Sequence, residues 1–180
     1  MLRPLEMAHV WLDEVLDADS LAIDATMGNG HDTKFLAQRA KKVYAFDVQE
    51  QALENTEQLL SASNLSAELI LDGHENVDKY VDNCVKVAIF NLGYLPSSDK
   101  TIITKSNTTL AALAKILALL EKNGRVALMV YYGHEGGLVE KDAVENFVNK
   151  LDQREYQVMQ YNAMNQKNTP PFLIMIEKLL

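Results

Sequence analysis

The chain has 180 residues and a mass of 20.2 kDa, the size of one ordinary domain, since cores rarely divide below roughly 250 residues. Hydrophobic residues make up 48% and charged residues 23%, close to globular averages, which excludes a disordered or collagen-like chain. Seventeen Lys and Arg against 25 Asp and Glu leave a net charge of −8, so bulk electrostatics announce no polynucleotide partner, and any nucleic acid must be met by a local basic patch and chosen by shape or by a single base.

Strand-like and helix-like segments alternate along the chain. The segment Met7–Leu16 reads as an extra helix packed on a sheet. Ser20–Thr26 is a short apolar run ended by Gly28-Asn29-Gly30, and a helix is expected over Asp32–Ala40 with Phe35 and Leu36 facing inward. Lys42–Asp47 is a second strand. After it, Ala52, Leu53, Thr56, Leu59 and Leu60 form the stripe of an amphipathic helix. Ala67–Leu71 and Val85–Phe90 are the third and fourth strands. The spacing then predicts a helix over Thr108–Lys122 that buries Leu110, Leu113, Ala114, Leu117 and Leu120, with Asn123-Gly124 as its stop. Arg125–Tyr132 is a fifth strand, continuously apolar from Val126 and therefore central. Glu140–Leu151 is a further helix, and late strands near Tyr156–Tyr161 and Phe172–Glu177 flank a polar loop holding Thr169-Pro170-Pro171. The expected architecture is α/β: a seven-stranded, mostly parallel sheet with one antiparallel strand and helices on both faces, in a single domain spanning residues 1–180.

The longest unbroken apolar run, Val126–Tyr132, has seven residues, far short of the roughly 20 of a spanning helix, and the N-terminus lacks the apolar stretch of a secretory signal. A lone cysteine, Cys84, fits a reducing cytoplasm.

In an open parallel sheet, ligands bind at the carboxyl ends of the strands. Here five consecutive strand ends carry polar or glycine residues: Asp24–Asp32, Asp47–Gln49, Asp72–Glu75, Asn91–Pro96 and Gly133–Gly137. Gly28 and Gly30 let the backbone approach a ligand, but a nicotinamide fingerprint wants a third glycine where Thr33 stands, so the loop alone fits either a ligand cradle or a tight turn. Asp47, 19 residues after Gly28, is placed to accept both hydroxyls of a ribose. Asp72, beside Gly73, is placed to take a proton from an adenine amine. An adenosine pocket of this kind serves NAD or S-adenosylmethionine equally. The segment Asn91-Leu-Gly-Tyr94-Leu-Pro96 separates the two. Hydride transfer needs no such element, whereas methyl transfer to an amine needs fixed acceptors for the N–H protons so that the lone pair lies in line. Asn91 can supply one, and Tyr94 can stack on a flat base.

These residues resemble a known family. Asp24–Thr33, Phe46–Gln49, Asp72–Asn76, Phe90–Pro96, Gly133–Gly137 and Asn168–Phe172 together are similar to the small bacterial class I methyltransferases long labelled rRNA methylases. That family is now understood to convert the 5-aminomethyl group of wobble (2-thio)uridine in tRNA to 5-methylaminomethyl. The likeness runs over about residues 4–178. It implies a Rossmann-like fold, S-adenosylmethionine as cofactor, tRNA as partner, a homodimer and a cytoplasmic setting. Asn29, Gly30, His31, Asp32 and Thr33 then line the methionine and ribose side, with Asp24 and Gly28 in the same loop. Asp47 and Gln49 hold the ribose and the adenine edge, and His74 with Glu75 closes over the adenine. Asn91 orients the acceptor nitrogen, although Leu92-Gly93 replaces the two prolines of the related Asn-Pro-Pro-Tyr element.

A protonated alkylamine must lose a proton before it attacks. His134, with Glu135, sits after the central strand, and histidine has the ordinary pKa for that task; the alternative is a histidine that caps its loop. His31, His74 and His134 each follow a glycine, yet their scattered spacing and the lack of a nearby cysteine argue against a metal site. His9 is read as surface or packing. Lys100, Lys105 and Lys115 could touch phosphates or simply solvate a helix, and the loop Asn162–Pro171 could form the other wall. Other readings are a methyltransferase acting on an rRNA base or a small amine, a nicotinamide-dependent reductase, and a non-catalytic nucleotide sensor.

Overall fold

The computed structural model describes residues 1–93 and 106–180. In chain order it contains α1 (Pro4–Asp13), β1 (Leu21–Asp24), α2 (His31–Ala37), β2 (Lys42–Asp47), α3 (Glu50–Ala62), β3 (Glu68–Leu71), a 3-10 segment (His74–Lys79), β4 (Val85–Leu92), α4 (Ser106–Leu119), β5 (Leu120–Val130), α5 (Gly137–Val148), β6 (Tyr156–Tyr161) and β7 (Phe172–Lys178). The seven strands form one sheet in the order β3-β2-β1-β4-β5-β7-β6. Neighbours from β3 to β5 pair in parallel, and β7 runs antiparallel to both β5 and β6, as the apolar runs predict.

The sheet separates two cores because successive strand residues point to opposite faces. On β4, Val85, Ala88, Phe90 and Leu92 face one side with Ala112, Leu113, Ile116 and Leu117 of α4 and Val144 and Val148 of α5. Val87 and Ile89 face the other side with Ala8 and Leu12 of α1 and Leu36 of α2. Strand order reverses at β1, which lies between β2 and β4, so the carboxyl ends of β1, β2 and β4 open onto one crevice.

The helix limits differ from the expected ones for local reasons. α1 starts at Pro4 because proline suits a first helical turn and Glu6 accepts the backbone N–H of Arg3 at 2.8 Å. Within α4 the covered face is Thr109, Ala112, Leu113, Ile116 and Leu117; Leu110 is half-buried and Ala114 is exposed. The hydroxyl of buried Thr109 donates to buried Glu140 of α5 at 2.7 Å, which rotates the helix from the phase its leucines suggest. Nor does Asn123-Gly124 end a helix: α4 stops at Leu119, Leu120 pairs with Val85 and Arg125 with Val87, and the residues between bulge out with Asn123 at φ 61°. The 3-10 segment follows from Asp72, whose Oδ1 accepts Gly73 N–H and Asn76 Nδ2–H, both at 2.8 Å.

Gly30 sits at φ +84°, and a Cβ there would lie 2.6 Å from Thr56 Oγ1 and 2.9 Å from Thr56 Cα on α3. Gly30→Ala is therefore expected to lower stability by about 1–3 kcal/mol, as read by thermal unfolding.

Candidate active site

The loop after β1 is tied to both neighbouring strands. Ala25 N–H donates to Ile89 O and Met27 N–H to Phe46 O, each at 2.9 Å, and Gly28 N–H donates to Asp47 Oδ2 at 3.0 Å. Beneath it lies Asp24, fully buried, accepting from the Thr33 hydroxyl at 2.7 Å and from Thr26 N–H at 3.1 Å. Thr33 is itself buried and points down at this carboxyl rather than out toward a ligand. Burial foremost, then the nearby Asp32 charge, raises the Asp24 pKa to about 7, against the opposing hydrogen bonds from Thr33 and Thr26. In the folded protein Asp24 therefore binds a proton that it gives up in the unfolded chain above its ordinary 3.8. That contribution is complete below pH 3.8 and is lost as pH rises through about 7. An Asp24→Asn variant should accordingly gain stability over wild type at pH 8, with an advantage that shrinks toward pH 5, as seen in melting temperatures across that range.

Asp47 ends β2 half-buried. Its Oδ1 accepts Gln49 N–H and its Oδ2 accepts Gly28 N–H, both at 3.0 Å, which leaves each carboxylate oxygen capacity for a further donor. Asp72 is more committed: besides its two donors on Oδ1, Oδ2 accepts the Tyr80 hydroxyl at 2.8 Å. These hydrogen bonds, Tyr80 foremost, hold its pKa below the ordinary value. The Glu75 carboxylate curls over Gly73, where a Cβ would meet it at 2.2 Å. His74 departs from its expected place over an adenine. It is buried, its Nδ1–H donates to Ala25 O at 2.8 Å, and its ring lies 5.7 Å from that of Phe90, so it braces the turn after β1. His31 is exposed, and Asn29 accepts from Asn55 Nδ2 at 3.2 Å.

At the end of β4, the backbone N–H of Asn91 donates to Thr26 Oγ1 at 2.6 Å, and its side-chain Nδ2 donates to Asp32 Oδ2 at 2.5 Å. A carboxylate accepts only, so the amide nitrogen must face Asp32 and Oδ1 points the other way. His9 Nε2 approaches Asp32 Oδ1 at 2.6 Å, and its ring stacks on Phe35 at 4.1 Å. The sequence reading missed this histidine. The available signal was its position beside Ala8, on the flank of the inward Leu5-Ala8-Leu12 stripe.

His134 packs against the chain just beyond Asn91. A Cβ on Gly93 would lie 2.6 Å from His134 Cε1, and one on Gly137 would lie 2.8 Å from it. His134 Nε2 is buried without a hydrogen-bond partner among the described residues. Glu135 is exposed. Thr169 lies over Gly133, where a side chain would collide with its hydroxyl, which brings the β6–β7 loop to the same rim. Lys115 Nζ donates to Glu75 O at 2.6 Å and to Asp78 Oδ1 at 2.7 Å, so two of its three N–H donors are already engaged. Tyr94, Lys100 and Lys105 lie outside the described residues, as does the rest of the Asn91–Pro96 element beyond Gly93. No three His, Cys, Asp or Glu side chains converge on a metal position among the described residues.

The sequence profile of the Putative rRNA methylase family matches residues 43–177. The chain belongs to this family. A tRNA (mnm5s2U34)-methyltransferase from Arabidopsis thaliana chloroplasts is 35% identical over 191 residues, covering 98% of this chain and 70% of that protein. A methyltransferase from Streptococcus mutans, crystallised with S-adenosylhomocysteine (SAH), is 58% identical with a TM-score of 0.95, over 99% of each chain. An rRNA methylase from Clostridium thermocellum is 40% identical with a TM-score of 0.97, again over 99% of each chain.

The protein is an S-adenosylmethionine-dependent methyltransferase with the Rossmann-like fold of its relatives. The residues at the crevice suit that cofactor. Two free acceptor sites on Asp47 match a pair of vicinal hydroxyls, and the left-handed glycines 28 and 30 bring backbone rather than side chain to the rim. Among the described residues, no helix is long and apolar enough to cross a membrane.

Proposed function

We propose that this methyltransferase acts on the primary amine of the 5-aminomethyl group of wobble (2-thio)uridine in tRNA, giving the 5-methylaminomethyl form. The observation that carries the reading is the Asn91 carboxamide: Asp32 holds its nitrogen at 2.5 Å, so its oxygen is left to accept an amine N–H at the end of β4. The Arabidopsis relative, whose name specifies that modified uridine, supports the acceptor class.

In this reading Asp47 receives the ribose hydroxyls and Gln49 the adenine edge. Asp72, Gly73 and Glu75 flank the base, and Gly28, Asn29, Gly30, His31 and Asp32 border the methionine side, with Asp24 and Thr33 bracing that loop from below. When bound, S-adenosylmethionine supplies an electrophilic methyl group on a positively charged sulfur. Asn91 Oδ1 fixes the amine so that its lone pair points along one line. His134 takes the proton that the alkylammonium must shed, a role suited to its Nε2, which is buried without a hydrogen-bond partner among the described residues. His134→Ala should then lose activity near neutral pH and regain it in alkaline buffer, where the amine is already neutral. Full activity across that range removes His134 from the reaction. A homodimer, which the resemblance implies, would widen the surface offered to RNA, and light scattering reads it.

The second reading is an rRNA acceptor, which the names of the family and of the Clostridium thermocellum relative favour. Mass spectrometry of nucleosides from cells lacking the protein separates the two. The tRNA reading expects aminomethyl-thiouridine to accumulate and its N-methylated product to vanish. An unchanged tRNA profile with a methyl lost from rRNA selects the other.

A further inference from the structure

We infer that His9, on the N-terminal helix, is a positioning residue for methyl transfer and sets the orientation of Asn91 through Asp32. The inference rests on the reading of Asn91 given above.

Three side chains from three elements form one line. His9 Nε2–H donates to Asp32 Oδ1 at 2.6 Å, and Asn91 Nδ2–H donates to Asp32 Oδ2 at 2.5 Å. The Asp32 side chain is 8% exposed, so a donor lost from it is replaced by water only with difficulty. With one donor on each oxygen the carboxylate has a single orientation, and that orientation decides which end of the Asn91 amide faces the crevice. Without His9, Asp32 can rotate about its χ2 and the amide is held by one bond to a mobile partner.

The His9 ring is itself held. It stacks on Phe35 with the planes 5° apart, and the Arg39 guanidinium lies 4.2 Å from the Phe35 centroid while pairing with Asp13 of α1. α1 is seated through buried Ala8 and Leu12, and Arg125 of β5 donates to Trp11 O at 2.5 Å. The other titratable groups that face Asp32 are Asp24, a second acid, and Tyr131, whose phenol pKa is raised by burial and by the Asp32 charge. The N-terminal helix thus reaches across the sheet end to fix a residue at the end of β4.

The test measures single-turnover methyl transfer from labelled S-adenosylmethionine to bulk RNA of cells lacking the protein. It uses wild type, Asn91→Ala, His9→Phe, His9→Leu, His9→Gln and the His9→Phe/Asn91→Ala double variant. Phe keeps the stack on Phe35 without the donor, Leu removes both should Phe not fold, and Gln restores an N–H. The expected result is a roughly ten- to hundred-fold loss of rate for Phe and Leu, with SAH affinity near wild type and a lowered melting temperature. Gln should recover most of the rate, and the double variant should be no slower than Asn91→Ala alone. A full-rate His9→Phe or His9→Leu enzyme beside a slow Asn91→Ala enzyme overturns this inference alone, as does a double variant whose losses multiply. A full-rate Asn91→Ala enzyme overturns the reading of Asn91 and this inference together.

Discussion

An Asp47→Ala variant is expected to bind SAH at least about a hundredfold more weakly than wild type in titration calorimetry. Each hydroxyl hydrogen bond to a carboxylate contributes about 1.5–3 kcal/mol, and the side chain offers two such positions at the end of β2. The same substitution strips the partner from Gly28 N–H and Gln49 N–H, so the loop after β1 loses its tie to β2 as well. Asp47→Asn should fall between the two proteins, because its amide keeps one acceptor and loses the charge. Undiminished affinity in Asp47→Ala would move the ribose away from β2.

Asn91→Ala is expected to lower the rate of methyl transfer by roughly a hundredfold or more, the scale seen when one preorganised hydrogen-bonding group is removed from a reacting centre. Cofactor affinity should change little, because the backbone of residue 91 stays anchored through Thr26 Oγ1 at 2.6 Å. Asn91→Asp should not rescue it. A second carboxylate against Asp32 must share a proton with it, and the acceptor is then turned or neutralised. Rapid-quench measurement of a single turnover separates this loss from any change in RNA binding.

Much of the fold was legible because apolar runs and their breaks carry it. β2 and β6 begin and end at the residues expected, each an apolar run or alternation bounded by charge. The stripe of Ala52, Thr56 and Leu60 was legible because all three are buried at helical spacing. What escaped depends on partners far along the chain. The phase of α4 is set by Glu140, 31 residues from Thr109, and no local pattern encodes that pair. Thr33 reads in sequence as a missing glycine in a dinucleotide loop, whereas its hydroxyl holds the buried Asp24.

The site divides in the same way. Asp24, Asp47, Asp72 and Asn91 could be placed at the ends of β1, β2, β3 and β4 because each closes or follows an apolar run. His74 was recognisable as important but not as inward-facing, since its partner, Ala25 O, lies 49 residues away. His9 was read as surface or packing because it precedes the first strand and meets Asp32 only once α1 and α2 pack on the same face of the sheet.

The most direct measurement is an in vitro reaction of the purified protein with isotopically labelled S-adenosylmethionine and tRNA carrying 5-aminomethyl-2-thiouridine at the wobble position, followed by nucleoside mass spectrometry. One labelled methyl on the side-chain nitrogen of that uridine is the predicted product. Label appearing only in rRNA, or on a ring position of another tRNA base, contradicts the account.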